Sequence, residues 1–183
     1  MNPASPVLLG IMGGSCSGKT TFARALSEEI ADLNPITLNQ DAYFQDWSAY
    51  SEEERERVKT ANHPDAVNWD ALLKHIRSLA AREEIVVPPP GTGAAARGGP
   101  QETLAPSDVV IVEGHLIYND AELRDLMTLK LFFDVDPHER VLRRMMRDAG
   151  RNGDLEKAVA WYRRDVIPNY PTYTEPCRQY ADL

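Results

Sequence analysis

Gly13, Gly14, Ser15, Cys16, Ser17, Gly18, Lys19 and Thr20 follow one another at the spacing GxxxxGK[ST]. Glycines there let successive backbone N–H groups turn inward, and a helix opening at the end of the stretch adds the positive end of its dipole. A concavity of this kind binds phosphate oxygens. Lys19 would then reach the outer phosphates of a nucleotide and the Thr20 hydroxyl would hold Mg²⁺, with Thr21 next in the first helical turn.

Three further groups extend this chemistry. Glu113 ends the apolar run Val109, Val110, Ile111, Val112, so a carboxylate stands at a strand end, from which it can meet a metal. Asp41 follows a short apolar stretch and reads either as a helix-starting cap or as a carboxylate that accepts the proton of an attacking hydroxyl or binds metal. Arg140, Arg144, Arg147 and Arg151 recur at intervals of four, three and four, which lines them up on one helix face. Such a stripe is either an anion site or a solvated basic face paired with Asp136, Glu139 and Asp148. The histidines His63, His75, His115 and His138 have no ligand spacing and read as surface or structural residues.

The elements that would position these groups alternate. Short apolar runs at Val7 to Met12, Ile36 to Asn39, Ile85 to Val87, Val109 to Glu113 and Leu129 to Asp134 read as strands. Phe22, Leu26, Ile30 and Leu33 recur at helical spacing, as do Leu72, Leu73, Ile76 and Leu79 within Trp69 to Ala81, capped by Asn68. Asp136, Pro137 and Glu139 open a helix whose Val141, Leu142, Met145 and Met146 are expected to face inward, and another helix starts at Asp154. Buried strands alternating with amphipathic helices predict an α/β fold with a mainly parallel central sheet covered on both faces. Ser51 to Thr60 reads as a short polar helix. Pro88 to Pro106, opening on three consecutive prolines and holding four glycines, reads as a mobile surface loop without regular structure.

Bulk properties agree with one small-molecule-binding domain across residues 1–183. The 20 basic and 28 acidic side chains leave a net charge of −8, which argues against a nucleic-acid backbone or an anionic membrane as partner. Two cysteines make no disulfide framework and no zinc spacing occurs, so a reducing, cytoplasmic setting is expected. No NKxD stretch is present to read guanine.

Taken together, the motifs resemble the uridine kinase and phosphoribulokinase group of P-loop kinases, and uridine kinases above all. The resemblance runs through Gly13 to Thr21, Gln40-Asp41 with Tyr43, His63-Pro64-Asp65-Ala66, Val110 to Gly114, Arg143-Arg144 to Asp148, and Tyr180-Ala181-Asp182. It implies a three-layer P-loop sandwich with an arginine-bearing lid over 137–153. The implied activity is a kinase passing the γ-phosphoryl group of ATP, with Mg²⁺, to the 5′-hydroxyl of a ribonucleoside. The implied roles are Lys19 on the phosphates, Thr20 and Glu113 on the metal side, Asp41 as base, Arg144 on the nucleotide, and Arg147 and Arg151 as lid and substrate arginines.

Several positions depart from the family pattern. Asn62 stands before His-Pro where uridine kinases carry an Asp that holds ribose hydroxyls. Pro90 and Ala95 replace a Tyr and a His around the pyrimidine, leaving Arg97 as the substrate contact in that loop, and Gly153 replaces a second lid arginine. The family sheet continues into another strand where this chain ends at Leu183. The rival expectations are a kinase for another alcohol, such as nicotinamide riboside, a sugar or pantothenate, and a nucleotide-binding module without catalysis. Uridine kinases often assemble as homo-oligomers, but no segment here reads as an interface.

Overall fold

The computed structural model describes residues 6–152 and 154–183, the side chains of 151 and 152 excepted. Four strands, β1 (Val7–Gly13), β2 (Ile36–Asn39), β5 (Val109–Gly114) and β6 (Leu129–Phe133), form a parallel sheet in the order β2-β5-β1-β6. Alternation along β1 divides the core in two. Leu9 and Ile11 pack with Ile111 against Ala23 and Leu26 of α1 (Lys19–Glu29). Leu8 and Met12 face the other way, toward Leu72, Leu73, Ile76 and Leu79 of α3 (Trp69–Ala80) and Leu123 of α5 (Ala121–Leu126). A sheet buried on both faces between helices is the three-layer arrangement expected from continuous apolar strands.

The third apolar run departs from expectation. β3 (Ile85–Val87) does not join the parallel sheet; it pairs antiparallel with β4 (Glu102–Leu104) as a separate ribbon. Residues 88–106 therefore hold regular structure, namely β4 and the single turn α4 (Gly93–Ala96). Thr92 explains how a Gly- and Pro-rich stretch is held: it is fully buried, its hydroxyl donates to the Pro89 carbonyl at 2.7 Å, and it caps α4 through the Ala95 amide.

Local signals worked best where caps are contiguous in sequence. Asn68 accepts from Ala71 N to start α3, and Ser51 with Glu54 forms a full capping box on α2 (Glu52–Val58). Asp136 accepts from the His138 and Glu139 amides at the start of α6 (Pro137–Asn152), while the Glu139 carboxylate turns to Arg143 at 2.8 Å instead of closing the box. The apolar residues of α6 are not all inward. Leu142 and Met146 are 61% and 78% exposed because the arginine side of the helix, half a turn away, faces the protein. Asp154 caps α7 (Leu155–Trp161), and an irregular helical run over 162–180 returns the chain to the sheet. There Asp182 N and Phe132 N exchange bonds with Lys130 O and Leu183 O, covering the outer edge of β6. Among the described residues no helix is long and apolar enough to cross a membrane.

Candidate active site

Parallel pairing puts the carboxyl ends of β1, β2 and β5 side by side: Asn39 is opposite Glu113, and Glu113 opposite Ile11. A cavity of about 680 Å³ opens over this edge, where ligands of open α/β sheets bind. The loop Gly13–Thr20 forms one wall. Cys16 and Gly18 take left-handed backbone, at φ 63° and 95°, which curls the loop tightly, and Ser17 N closes the turn on Gly14 O at 3.1 Å. Gly14 is required for a different reason: a Cβ there would run into the Arg140 guanidinium and the Tyr170 ring.

The N-terminus of α1 has no side-chain cap and no acidic residue in its first turn, leaving its amides open to an anion. Among the described residues Ser17 Oγ is buried without a hydrogen-bond partner. An unpaired buried hydroxyl is costly unless something supplies its bond, so this loop fits a phosphate group.

Lys19 and Thr20 both reach the cavity. The Lys19 ammonium donates to Gly14 O at 3.4 Å; burial pulls its pKa down, while the charges of Glu113 and Asp41 oppose that pull. Thr20 Oγ1 donates to Glu113 Oε2 at 2.9 Å, and Asn39 Nδ2 to Oε1 at 2.6 Å. Burial raises the Glu113 pKa, against the Thr20 bond and the Lys19 charge. A hydroxyl and two carboxylates, Thr20, Glu113 and Asp41, on one cavity suit Mg²⁺, which takes few protein oxygens and completes its shell with phosphate and water.

Asp41 lies in a 3₁₀ turn at the end of β2, and the ambiguity between cap and functional group resolves locally. Asn39 does the capping, accepting from Asp41 N at 2.7 Å, and the Asp41 carboxylate accepts no hydrogen bond from the protein among the described residues.

Opposite stands α6. Arg143, Arg144 and Arg147 line the cavity, the last two tied to the same Asp148 carboxylate at 3.3 and 2.9 Å. Arg140, expected in that stripe, is buried elsewhere: its guanidinium lies 4.1 Å from the Tyr170 ring centre and its Nε donates to Val135 O. The Arg151 side chain lies outside the described residues, as does Gly153. Asn62 also lines the cavity. Arg97 does not: it is exposed at the end of α4, and no residue of 88–106 is among the cavity's lining.

Phe44 and Arg143 belong to the cavity wall but were given no role from the sequence, and His115, read there as a surface or structural residue, joins them. His115 lies just past Glu113 at the strand end, a placement that could have flagged it. Its Nε2 faces the Ala61 carbonyl at 2.6 Å, and since that oxygen only accepts, Nε2 carries the proton. Burial lowers its pKa to about 4, so the ring is neutral. Its ring centre lies 6.1 Å from that of Phe44.

Comparison with known proteins bears on the family and the fold. The chain is 37% identical over 180 residues to the uridine kinase of Ligilactobacillus salivarius, covering 97% of this chain and 84% of that one. It is 38% identical over 179 residues to the uridine kinase of Lactiplantibacillus plantarum, covering 97% and 85%. Among solved structures, the phosphoribulokinase from Rhodobacter spheroides superposes with a TM-score of 0.69 at 16% identity, covering 97% of this chain and 68% of that one. The D-glycerate 3-kinase from Cryptococcus neoformans gives 0.60 at 16%, covering 94% and 80%. These two share the fold. Residues 8–183, nearly the whole of this chain, match the model of one family, and the chain belongs to the phosphoribulokinase and uridine kinase family.

Proposed function

We propose that this protein transfers the γ-phosphoryl group of ATP to a primary hydroxyl of a small ribose-bearing molecule, with a nucleoside as the principal acceptor. One observation carries the reading: the Asp41 carboxylate, unpaired by any protein donor among the described residues, shares a cavity with Lys19 and an uncapped helix N-terminus. That is a base facing a phosphate cradle.

The loop amides and Lys19 hold the triphosphate, with the phosphoryl group to be transferred directed into the cavity. Asp41 accepts a hydrogen bond from the acceptor hydroxyl, aims its oxygen at the phosphorus, and takes its proton as the new bond forms. Mg²⁺ bound at Thr20, Glu113 and Asp41 would neutralise charge on the phosphate oxygens. Arg144 and Arg147, preset by Asp148, donate to the phosphate oxygens as charge moves toward the leaving ADP, and their approach excludes water that would otherwise take the phosphoryl group. Arg143, on the same wall, is a further candidate for this role.

Because residues 88–106 contribute nothing to the lining, recognition rests on the ribose end of the acceptor, and the base is read loosely. The test is coupled detection of ADP with uridine, cytidine, nicotinamide riboside, ribose and pantothenate in parallel. Turnover with the ribose-bearing compounds and none with pantothenate is the expected pattern. Nucleotide binding without turnover on any of them would instead favour a binding module.

A further inference from the structure

Asp165, in the run that follows α7, is 4% exposed, and its carboxylate is ringed by neutral donors. Oδ1 accepts from the Thr60 hydroxyl at 2.5 Å and from Asn169 Nδ2 at 3.4 Å; Oδ2 accepts from Ala61 N at 3.0 Å and Asn62 Nδ2 at 2.6 Å. Among the described residues no lysine or arginine forms an ion pair with it. A charge placed out of water with no counter-charge is retained at a cost. Here three of its four donors belong to one segment, 60–62, whose last residue lines the cavity while Asp165 does not.

A carboxylate only accepts, so the end of the Asn62 amide facing it must be Nδ2. Asn62 Oδ1 is thereby turned away from Asp165. It has no protein partner among the described residues, and it is not among the atoms sealed from solvent without a partner. A free amide could turn either end to a ligand. This one is tied to Asp165, and the carbonyl of the preceding residue, Ala61, is held by His115 Nε2.

We propose that Asp165 is a positioning residue that locks the Asn62 amide with its carbonyl oxygen toward the cavity, making position 62 an obligate acceptor for a second hydroxyl of the phosphoryl acceptor. The inference rests on the reading above, that a ribose-bearing alcohol fills the cavity. Holding ribose hydroxyls at this position is the family pattern; the inference adds that here Asp165, bonded to the Asn62 amide, fixes the acceptor that meets a ribose 2′- or 3′-hydroxyl. An acceptor lacking that hydroxyl leaves Oδ1 unpaired, and sites built to hydrogen-bond a hydroxyl reject such analogues strongly.

The experiment compares kcat/KM for uridine with that for 2′-deoxyuridine and 3′-deoxyuridine, in the wild-type protein and three variants checked by thermal melting. Wild type should favour uridine over the poorer deoxy analogue by roughly tenfold or more. Asp165→Ala frees the amide to turn, and the preference should fall to about threefold or less through KM for uridine, with KM for ATP changed by less than about twofold. Asp165→Thr covers an alanine variant that does not fold. Its hydroxyl gives as well as accepts, so it partners the segment without dictating the amide's orientation, and it too should lose the preference. Asp165→Asn can turn its amide to Thr60 and keep its oxygen on Asn62, so the preference should survive. A folded Ala or Thr variant that keeps the wild-type preference, or a wild type active on uridine without preference, overturns the role of Asp165 and leaves the kinase reading standing. A wild type inactive on every ribose-bearing acceptor overturns both.

Discussion

Thr20 in the first turn of α1 and Glu113 at the end of β5 are joined by a 2.9 Å hydrogen bond, although 93 positions separate them. The bond ties the end of the phosphate loop to the central strand of the sheet. Asn39 holds the other carboxylate oxygen from β2, so three elements meet on one acidic side chain. Glu113→Gln keeps the shape and removes the charge. Activity at saturating ATP should need about 10- to 100-fold more Mg²⁺ for its half-maximum. A Mg²⁺ titration that superposes on wild type would remove Glu113 from the metal side.

Asp41 makes no side-chain hydrogen bond within the protein among the described residues, so its substitution should leave the fold intact. Asp41→Asn should lower kcat by about 10² to 10⁴, the range of a positioned base, with ATP binding nearly unchanged. Calorimetric ATP titration beside steady-state rates checks both halves.

Lys19 contrasts with it. Its ammonium is surrounded by Glu113 and Asp41 and faces the loop, so Lys19→Ala should weaken ATP binding and lower kcat together, by about tenfold or more in each. Unchanged nucleotide affinity would disqualify the loop as the phosphate site.

Gly14 packs on Arg140, and Arg140 stacks on Tyr170. Gly14→Ala inserts a methyl into that contact and should cost about 1–3 kcal/mol, the range for overpacking a dense site. Denaturant unfolding measures it. A parallel loss of ATP affinity is expected, because the loop cannot shift without moving its amides.

His75 on α3 is half-buried, and its Nδ1 lies 3.0 Å from the Tyr43 hydroxyl. Burial pushes the Tyr43 phenol up, so it stays protonated and donates, and burial with the nearby Lys74 charge lowers the His75 pKa below 6.5. A histidine whose folded pKa lies below its unfolded value binds its proton more readily when unfolded. Its contribution is therefore full above the unfolded pKa and is lost as pH falls below about 6.5. Urea midpoints from pH 8 to pH 5 should fall more in wild type than in His75→Gln, and equal slopes would contradict the assignment.

How much of this was legible in the sequence depends on how far apart the cooperating groups lie. The phosphate loop and the caps at Asn68, Asp136 and Asp154 are each carried by a few consecutive residues, so type and spacing suffice to find them. The inward apolar face assigned to α6 failed because periodicity reports an amphipathic helix without saying what the other face meets; here buried Arg140 and the cavity hold that side, and Leu142 and Met146 turn to solvent. Ile85 to Val87 was legible as a strand. Its partner β4 was hidden in a Gly- and Pro-rich stretch, and that pairing took it out of the parallel sheet.

By itself the sequence determined the phosphate cradle, the alternation that yields a parallel sheet, and hence the edge at which Asp41 and Glu113 must gather, because strand direction follows from connectivity and all carboxyl ends of parallel strands coincide. Only the tertiary structure decided which arginines face the cavity, that His115 and Phe44 stand in its wall, and that Asp165 reaches Asn62 across more than a hundred positions. Those choices depend on how elements dock, and docking is set by packing between surfaces whose partners are remote along the chain, where no local pattern records them.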